Sequence, residues 1–164
     1  MLSEAEQQEA ETMRVNAEEG GLTAGEMESL TDAAVDCMKD SGLQAWNYGI
    51  DPVNHTRAVY SFDLPVDGSV TEEEMFQIEE VCVAAYLADL PERFVNETEP
   101  YMAEDLLGFS VDCLESQGYQ IDEGTIAMFQ LVQAAPKGEE DVVVDCVSDG
   151  LLELYPDRPP NVRW

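Results

Sequence analysis

An eight-residue segment that ends in glycine occurs twice in the chain, and both copies carry a cysteine. Val35–Gly42 reads VDCMKDSG and Val111–Gly118 reads VDCLESQG. Each copy is followed by a second cysteine in an apolar, helix-like stretch, Cys82 after the first and Cys146 after the second. The pattern predicts two related helical units, each closed by its own disulfide.

Four cysteines permit three pairings, and the repetition favours Cys37 with Cys82 and Cys113 with Cys146. Each bond would join the inner faces of two helices across a long loop and contribute roughly 3 to 5 kcal/mol to stability. A structural zinc site is the alternative, but such sites use closely spaced cysteines, and a redox catalyst would use Cys-x-x-Cys. Neither spacing occurs in the sequence.

The chain is strongly acidic and still has enough apolar residues to fold. Its 164 residues include 36 Asp and Glu against 7 Lys and Arg, a formal charge of -29, while 45% of residues are hydrophobic. This composition is typical of a folded acidic protein and not of a disordered tail. The charge argues against direct binding of nucleic acid or anionic lipid, because both require Lys and Arg. It serves either solubility in a saline setting or recruitment of a basic or cationic partner.

The cysteines predict an oxidising compartment, either the cell envelope or the extracellular space. No apolar stretch reaches the ~18 residues that a transmembrane helix needs. The first residues, Met1–Glu6, lack the basic and apolar regions of a signal peptide. We therefore expect that an export signal has been removed and that Met1 is not the native start.

Turn residues, capping boxes and apolar periodicity predict the secondary structure. The capping boxes are Ser3 with Glu6, Thr23 with Glu26, and Thr71 with Glu74. The expected helices span 4–18, 24–41, 72–89, 100–117, 125–134 and 139–154. A β-hairpin is expected from 44–50 and 57–62 around a turn at 51–56, with a further short strand at 119–122 and a linker at 92–99.

The sequence thus predicts a mainly helical α+β fold with two related helix–strand–helix units and a small β-hairpin in the first. The expected divisions are an N-terminal acidic helix at 1–21, a first disulfide-closed unit at 22–95, a second at 96–155, and a proline-rich tail at 156–164.

The aromatic residues of the hairpin are the candidate ligand surface, namely Trp46, Tyr48 and Tyr60. Strand alternation turns some of them toward the core and some outward, and aromatic anchors dominate many interfaces. The single histidine, His55, is interpreted as a turn residue. No motif for catalysis, phosphate binding or metal binding is found, so the sequence predicts no catalytic residues, no cofactor and no metal site.

Two helix ends carry a resemblance to a group of proteins. Cys37–Gly42 has the form Cys-Met-x-x-x-Gly, and Cys113–Gly118 has the form Cys-Leu-x-x-x-Gly. With the acidic, alanine-rich composition, they resemble small acidic exported or lipoprotein-like proteins of actinobacteria. The resemblance implies an extracytoplasmic location and disulfides, and it carries no catalytic residues over to this chain.

These features predict a non-enzymatic binding or structural protein outside the cytoplasm, with an acidic surface that meets a basic protein or cations. The first alternative is a cytosolic DNA mimic that inhibits a nucleic-acid-binding protein, which requires reduced cysteines. The second is a hydrolase with an acidic cleft, which requires a deep pocket with two carboxylates of separated pKa. The sequence carries no signal for the oligomeric state.

Overall fold

A computed structural model describes residues 2–158, and in this part of the chain it contains seven α-helices and one two-stranded antiparallel sheet. The predicted fold class, mainly helical α+β with a small hairpin, is confirmed. The elements are α1 Glu4–Glu19, α2 Ala24–Asp40, β1 Gln44–Ile50, β2 Ala58–Asp63, α3 Glu72–Tyr86, α4 Leu90–Glu97, α5 Glu104–Ser116, α6 Met128–Ala134 and α7 Glu140–Leu154.

The described residues form two compact units. The first unit consists of the described part of residues 1–50 together with Arg57–Thr98, and the second consists of Asp51–Thr56 and the described residues from Glu99 onward. Helix α1 is therefore part of the first unit, where its Ala10 and Ala17 are buried. The segment between β1 and β2 belongs to the second unit.

Each unit contains one disulfide, and the predicted pairing is confirmed. Cys37 of α2 is bonded to Cys82 of α3 in the first unit, and Cys113 of α5 is bonded to Cys146 of α7 in the second. The paired Cα atoms are 5.8 Å apart in both bonds. All four cysteines of the chain are thus paired.

The two matching sequence segments end their helices in the same way. Gly42 and Gly118 have φ angles of 99° and 94°, in the left-handed region that glycine adopts without strain. The amide of the next residue donates back to a carbonyl near the helix end, at 3.0 Å in the first segment and 3.2 Å in the second. This glycine-based cap explains why both segments finish at their glycine.

The helix starts follow the capping boxes. The hydroxyls of Ser3, Thr23 and Thr71 each accept a hydrogen bond from the backbone of the glutamate three residues later, and each glutamate accepts one in return. Helices α1, α2 and α3 begin directly after these residues.

The predicted inner face of α2 is buried in the core of the first unit, as Met27, Leu30, Ala34, Cys37 and Met38. The predicted face of α3 is only in part buried. Cys82 and Tyr86 lie in the core, whereas Met75 and Ile78 are partly exposed where they pack against it. Part of this face of α3 is therefore accessible to solvent.

One predicted linker is wrong. Helix α3 ends at Tyr86, and a further helix, α4, begins at Leu90 and covers most of the expected linker 92–99. Pro91 lies in the first turn of α4, where its missing amide hydrogen removes no helical bond. Phe94 of α4 is buried in the first core, and this burial stabilises the short helix.

Helix α5 starts at Glu104 and not at Pro100, because backbone bonds hold the preceding residues outside the helix. The Met102 amide donates to the Ile126 carbonyl at 2.8 Å, and the Ala103 amide donates to the Pro52 carbonyl at 2.8 Å. Two further differences are found in this unit. Residues 119–122 form no strand, and α6 begins at Met128.

The hairpin contains a β-bulge. Asn47 pairs with Tyr60 and Ile50 pairs with Ala58, so β1 carries one extra residue in this interval. Gly49 lies there with φ 71°. The expected turn at 51–56 is partly buried, and Val53, only 2% exposed, belongs to the core of the second unit.

The tail was predicted from residue 156. Pro156–Arg158 form a turn after α7, and residues 159–164 lie outside the described part of the chain. No helix within residues 2–158 is long and apolar enough to cross a membrane.

Candidate functional site

A groove of about 820 Å³ lies in the first unit, among side chains of α1, α2 and α3. The wall from the N-terminal region is formed by Leu2, Glu6, Glu9 and Met13. Glu6, Glu9 and Met13 are three or four positions apart, which places them on one side of α1, and Leu2 precedes the helix. That side combines carboxylates with apolar side chains.

The longest wall is formed by α3. Its groove-lining residues run from Glu74 to Tyr86, a distance of ~18 Å at the helical rise of 1.5 Å per residue. Ile78 and Val81 lie between them, and Val81 is 42% exposed. The lining residues of α3 therefore span about three turns of this helix.

We refer to the apolar part of the lining as the floor of the groove. It includes the disulfide between Cys37 and Cys82, together with Met13, Ile78 and Val81. Cys37 and Cys82 are buried, so the disulfide contributes little accessible surface, and the more exposed Ile78 and Val81 contribute more of it. Burial of apolar ligand surface on such a floor is favourable because it removes that surface from water.

We refer to the acidic part of the lining as the rim of the groove. Its five carboxylates are Glu6, Glu9, Asp36, Asp40 and Glu74. No lysine or arginine is among the lining residues of the groove. Asp36 is partly neutralised by Lys39, whose Nζ lies 3.0 Å from Asp36 Oδ1. Glu9 and Asp40 form no ion pair within residues 2–158.

Two rim carboxylates are fixed by the capping boxes. Hydrogen bonds from the side chain and backbone of Ser3 lower the pKa of Glu6. Hydrogen bonds from the backbone and side chain of Thr71 lower the pKa of Glu74 in the same way. Both groups therefore stay ionised into the acidic range and hold a fixed orientation at the groove.

The electrostatic potential around Tyr86, one of the groove-lining residues, is negative. Burial raises the pKa of its phenol, and the negative charges of Glu9, Glu6 and Asp40 raise it further. The hydroxyl forms no hydrogen bond with any described residue. Carboxylates from two different helices thus act on one point, where a cationic group would be stabilised.

The three predicted aromatic residues lie on two faces of the hairpin. Trp46 pairs with Ser61, whose hydroxyl donates to the Tyr48 hydroxyl at 3.2 Å, and this face leaves Trp46 44% exposed. Tyr60 faces the other way and donates to Glu79 of α3 at 2.8 Å. Burial raises the pKa of Tyr60, and this hydrogen bond raises it further. None of the three predicted residues lines the groove.

A second cluster of titratable groups surrounds His55 in the second unit. The His55 ring lies 4.6 Å from the Tyr101 ring, and burial lowers the pKa of the imidazole. Asp51 and Asp105 oppose this shift, while Arg158 adds to it.

The same cluster contains a short hydrogen bond. Tyr155 donates to Asp105 at 2.6 Å, and burial and this bond raise the pKa of Tyr155 to about 12. The donated bond in turn lowers the pKa of Asp105. Within residues 2–158, no group of three or more His, Cys, Asp or Glu side chains is arranged to hold a metal ion.

The groove was missed by the sequence-based reasoning. Its signal was present on α1, where Glu6, Glu9 and Met13 follow helical spacing and combine acidic with apolar residues. Comparison with protein-family models, curated proteins and solved structures finds no match to this chain. The groove itself is therefore the basis for a functional proposal.

Proposed function

We propose that this protein is a non-enzymatic binding protein of an oxidising, extracytoplasmic compartment, and that the groove of the first unit receives a basic partner. The observation that carries the proposal is the combination of an apolar floor with five carboxylates and no basic residue in the lining. An acidic surface alone would be explained by solubility. A groove that combines acidic with apolar lining residues favours a ligand with both cationic and apolar groups.

The two parts of the groove have different roles in this proposal. The floor contributes binding free energy through burial of apolar surface. The rim attracts cationic groups and excludes anionic ones, so it governs association rate, selectivity and salt dependence. Glu9 and Asp40 are the rim residues on which we expect most of the selectivity to depend, because neither is engaged in an ion pair among the described residues.

The disulfides support the proposed location, because such bonds persist in oxidising compartments. The DNA-mimic alternative requires reduced cysteines and is less consistent with four paired ones. The hydrolase alternative requires carboxylates of opposite pKa shift. The two groove carboxylates with a shifted pKa, Glu6 and Glu74, are both lowered, as expected for charged binding groups.

The proposal is tested by equilibrium binding of a fluorescent peptide of lysine and leucine to the full, oxidised chain. The double variant Glu9→Gln/Asp40→Asn removes two rim charges. We expect it to weaken binding about tenfold, which corresponds to about 1.4 kcal/mol.

The matched control is Glu123→Gln/Asp149→Asn, which removes the same charge from exposed positions of the second unit. Its affinity should stay within about twofold of the wild type, because neither residue lines the groove and salt screens exposed charges that make no direct contact with the ligand. Equal weakening by both double variants would show that the peptide responds to net charge alone, and the groove proposal would be rejected.

A further inference from the structure

We infer that the partner enters the groove as a basic amphipathic α-helix of about three turns, an inference that rests on the proposed function. Three properties of the groove lead to this occupant. They are the origin of its walls, its length along α3, and the arrangement of apolar and acidic side chains across it.

The walls are formed mainly by helix side chains. Among the lining residues, only Leu2, Ser41, Ser69 and Val70 lie outside helices, and none belongs to a strand. The backbone groups within helices already bond to one another, so the groove offers no strand edge to an extended peptide. A buried peptide backbone must satisfy its own hydrogen bonds, and an α-helix does so.

The length of the groove fits a short helix. The lining of α3 extends ~18 Å from Glu74 to Tyr86, which is the length of a helix of about 12 residues. Such a helix presents apolar side chains at positions i, i+3 or i+4, and i+7 along one stripe. Ile78 and Val81, two apolar groove residues of α3, are three positions apart, which is a spacing found in such a stripe.

The combination of apolar and acidic side chains in the lining determines which residues the partner helix needs. Met13 and Ile78 contribute apolar surface to the lining. Glu9 of α1 and Asp40 of α2 contribute carboxylates to it. A helix with a leucine-type stripe would place that stripe on the floor. Lysine or arginine residues flanking the stripe would then reach the carboxylates, and their apolar stems would pack along the groove wall.

The test compares two synthetic peptides of identical leucine, lysine and alanine composition. In the first, leucines follow helical spacing with lysines beside them; in the second, the order is scrambled so that no apolar stripe forms. We expect the first to bind the full oxidised chain at least about tenfold more tightly, and to gain helical circular dichroism on binding.

A single groove substitution adds a matched comparison. Val81 lines the groove and is 42% exposed, whereas Val95 of α4 does not line it and is 40% exposed. Val81→Ser should weaken binding of the first peptide about fivefold, and Val95→Ser should leave it unchanged. The similar exposure of the two valines makes their effects on folding comparable.

The outcomes separate the two proposals. If both peptides bind equally and both lose affinity in Glu9→Gln/Asp40→Asn, the helix inference is wrong while the basic-ligand groove stands. If neither peptide binds, both proposals are rejected. Tighter binding of the first peptide without a gain in helicity would also overturn the helical occupant.

Discussion

The side-chain amide of Gln117 lies 3.3 Å from Cys146 Sγ, so it contacts the disulfide of the second unit. Ser41 occupies the corresponding position in the first matching segment, and it lines the groove beside the other disulfide. Serine has a much shorter side chain than glutamine. The two disulfides therefore differ in their surroundings, because one has a glutamine amide against it and the other lies in the groove lining together with a serine.

Exchange of these residues gives a specific prediction. Ser41→Gln should extend an amide over the groove floor and weaken binding of the amphipathic peptide several-fold. The free energy of unfolding should change by no more than about 0.5 kcal/mol, because position 41 is exposed. The reciprocal change, Gln117→Ser, serves as the control and should leave peptide binding unaltered. Wild-type affinity in Ser41→Gln would contradict the placement of the ligand beside Cys37 and Cys82.

The excess of negative charge should make stability dependent on salt. The formal charge is -29, and only three ion pairs occur among residues 2–158. Raising ionic strength from about 0.01 M to about 0.15 M shortens the Debye length from about 30 Å to about 8 Å, which screens this repulsion. We expect the melting temperature measured by circular dichroism to rise. A decrease would mean that attractive pairs outweigh the repulsion.

His55 should titrate below its ordinary range. Burial lowers the pKa of its imidazole, and Arg158 lowers it further, while Asp51 and Asp105 oppose the shift. The neutral form is thus favoured in the folded protein. Its contribution to stability is full above the unfolded value of about 6.5 and is lost as the pH falls below it.

The measurement is direct because the chain has a single histidine. A proton NMR titration of the His55 ring should give a midpoint below about 6.5. The unfolding free energy of the wild type should also fall more steeply below that pH than that of His55→Gln. A midpoint above 6.5 would show that the nearby carboxylates outweigh burial.

The segment between the two strands should stabilise the second unit. Val53 is 2% exposed in the core of that unit, so Val53→Ala should lower the free energy of unfolding by roughly 1 to 3 kcal/mol. Val66 is 94% exposed, and Val66→Ala should change it by less than about 0.5 kcal/mol. Chemical denaturation followed by circular dichroism compares the two. Equal effects would contradict the burial of Val53.

Local chemistry made part of the fold predictable. The capping boxes placed the starts of α1, α2 and α3, and the matching segments placed the ends of α2 and α5 just before Gly42 and Gly118. The pairing of the cysteines followed from the same repetition. The helix ends depend on residues that are close in sequence, and the cysteine pairing was predicted from the repeated segment.

Other features depend on distant partners. A linker was expected at 92–99, but α4 covers most of this segment, and burial of its Phe94 stabilises the helix. The turn-rich segment that contains Val53 gave no sign of belonging to the second core. The groove combines residues of three helices, and no local sequence pattern indicates how these helices pack against one another.

The most direct measurement of the central claim is a chemical-shift map of the full oxidised protein with the amphipathic basic peptide. We predict that the largest changes occur at Met13, Ile78 and Val81, which line the groove. Changes centred on Trp46 and Tyr48 would move the binding site to the exposed face of the hairpin and contradict the account.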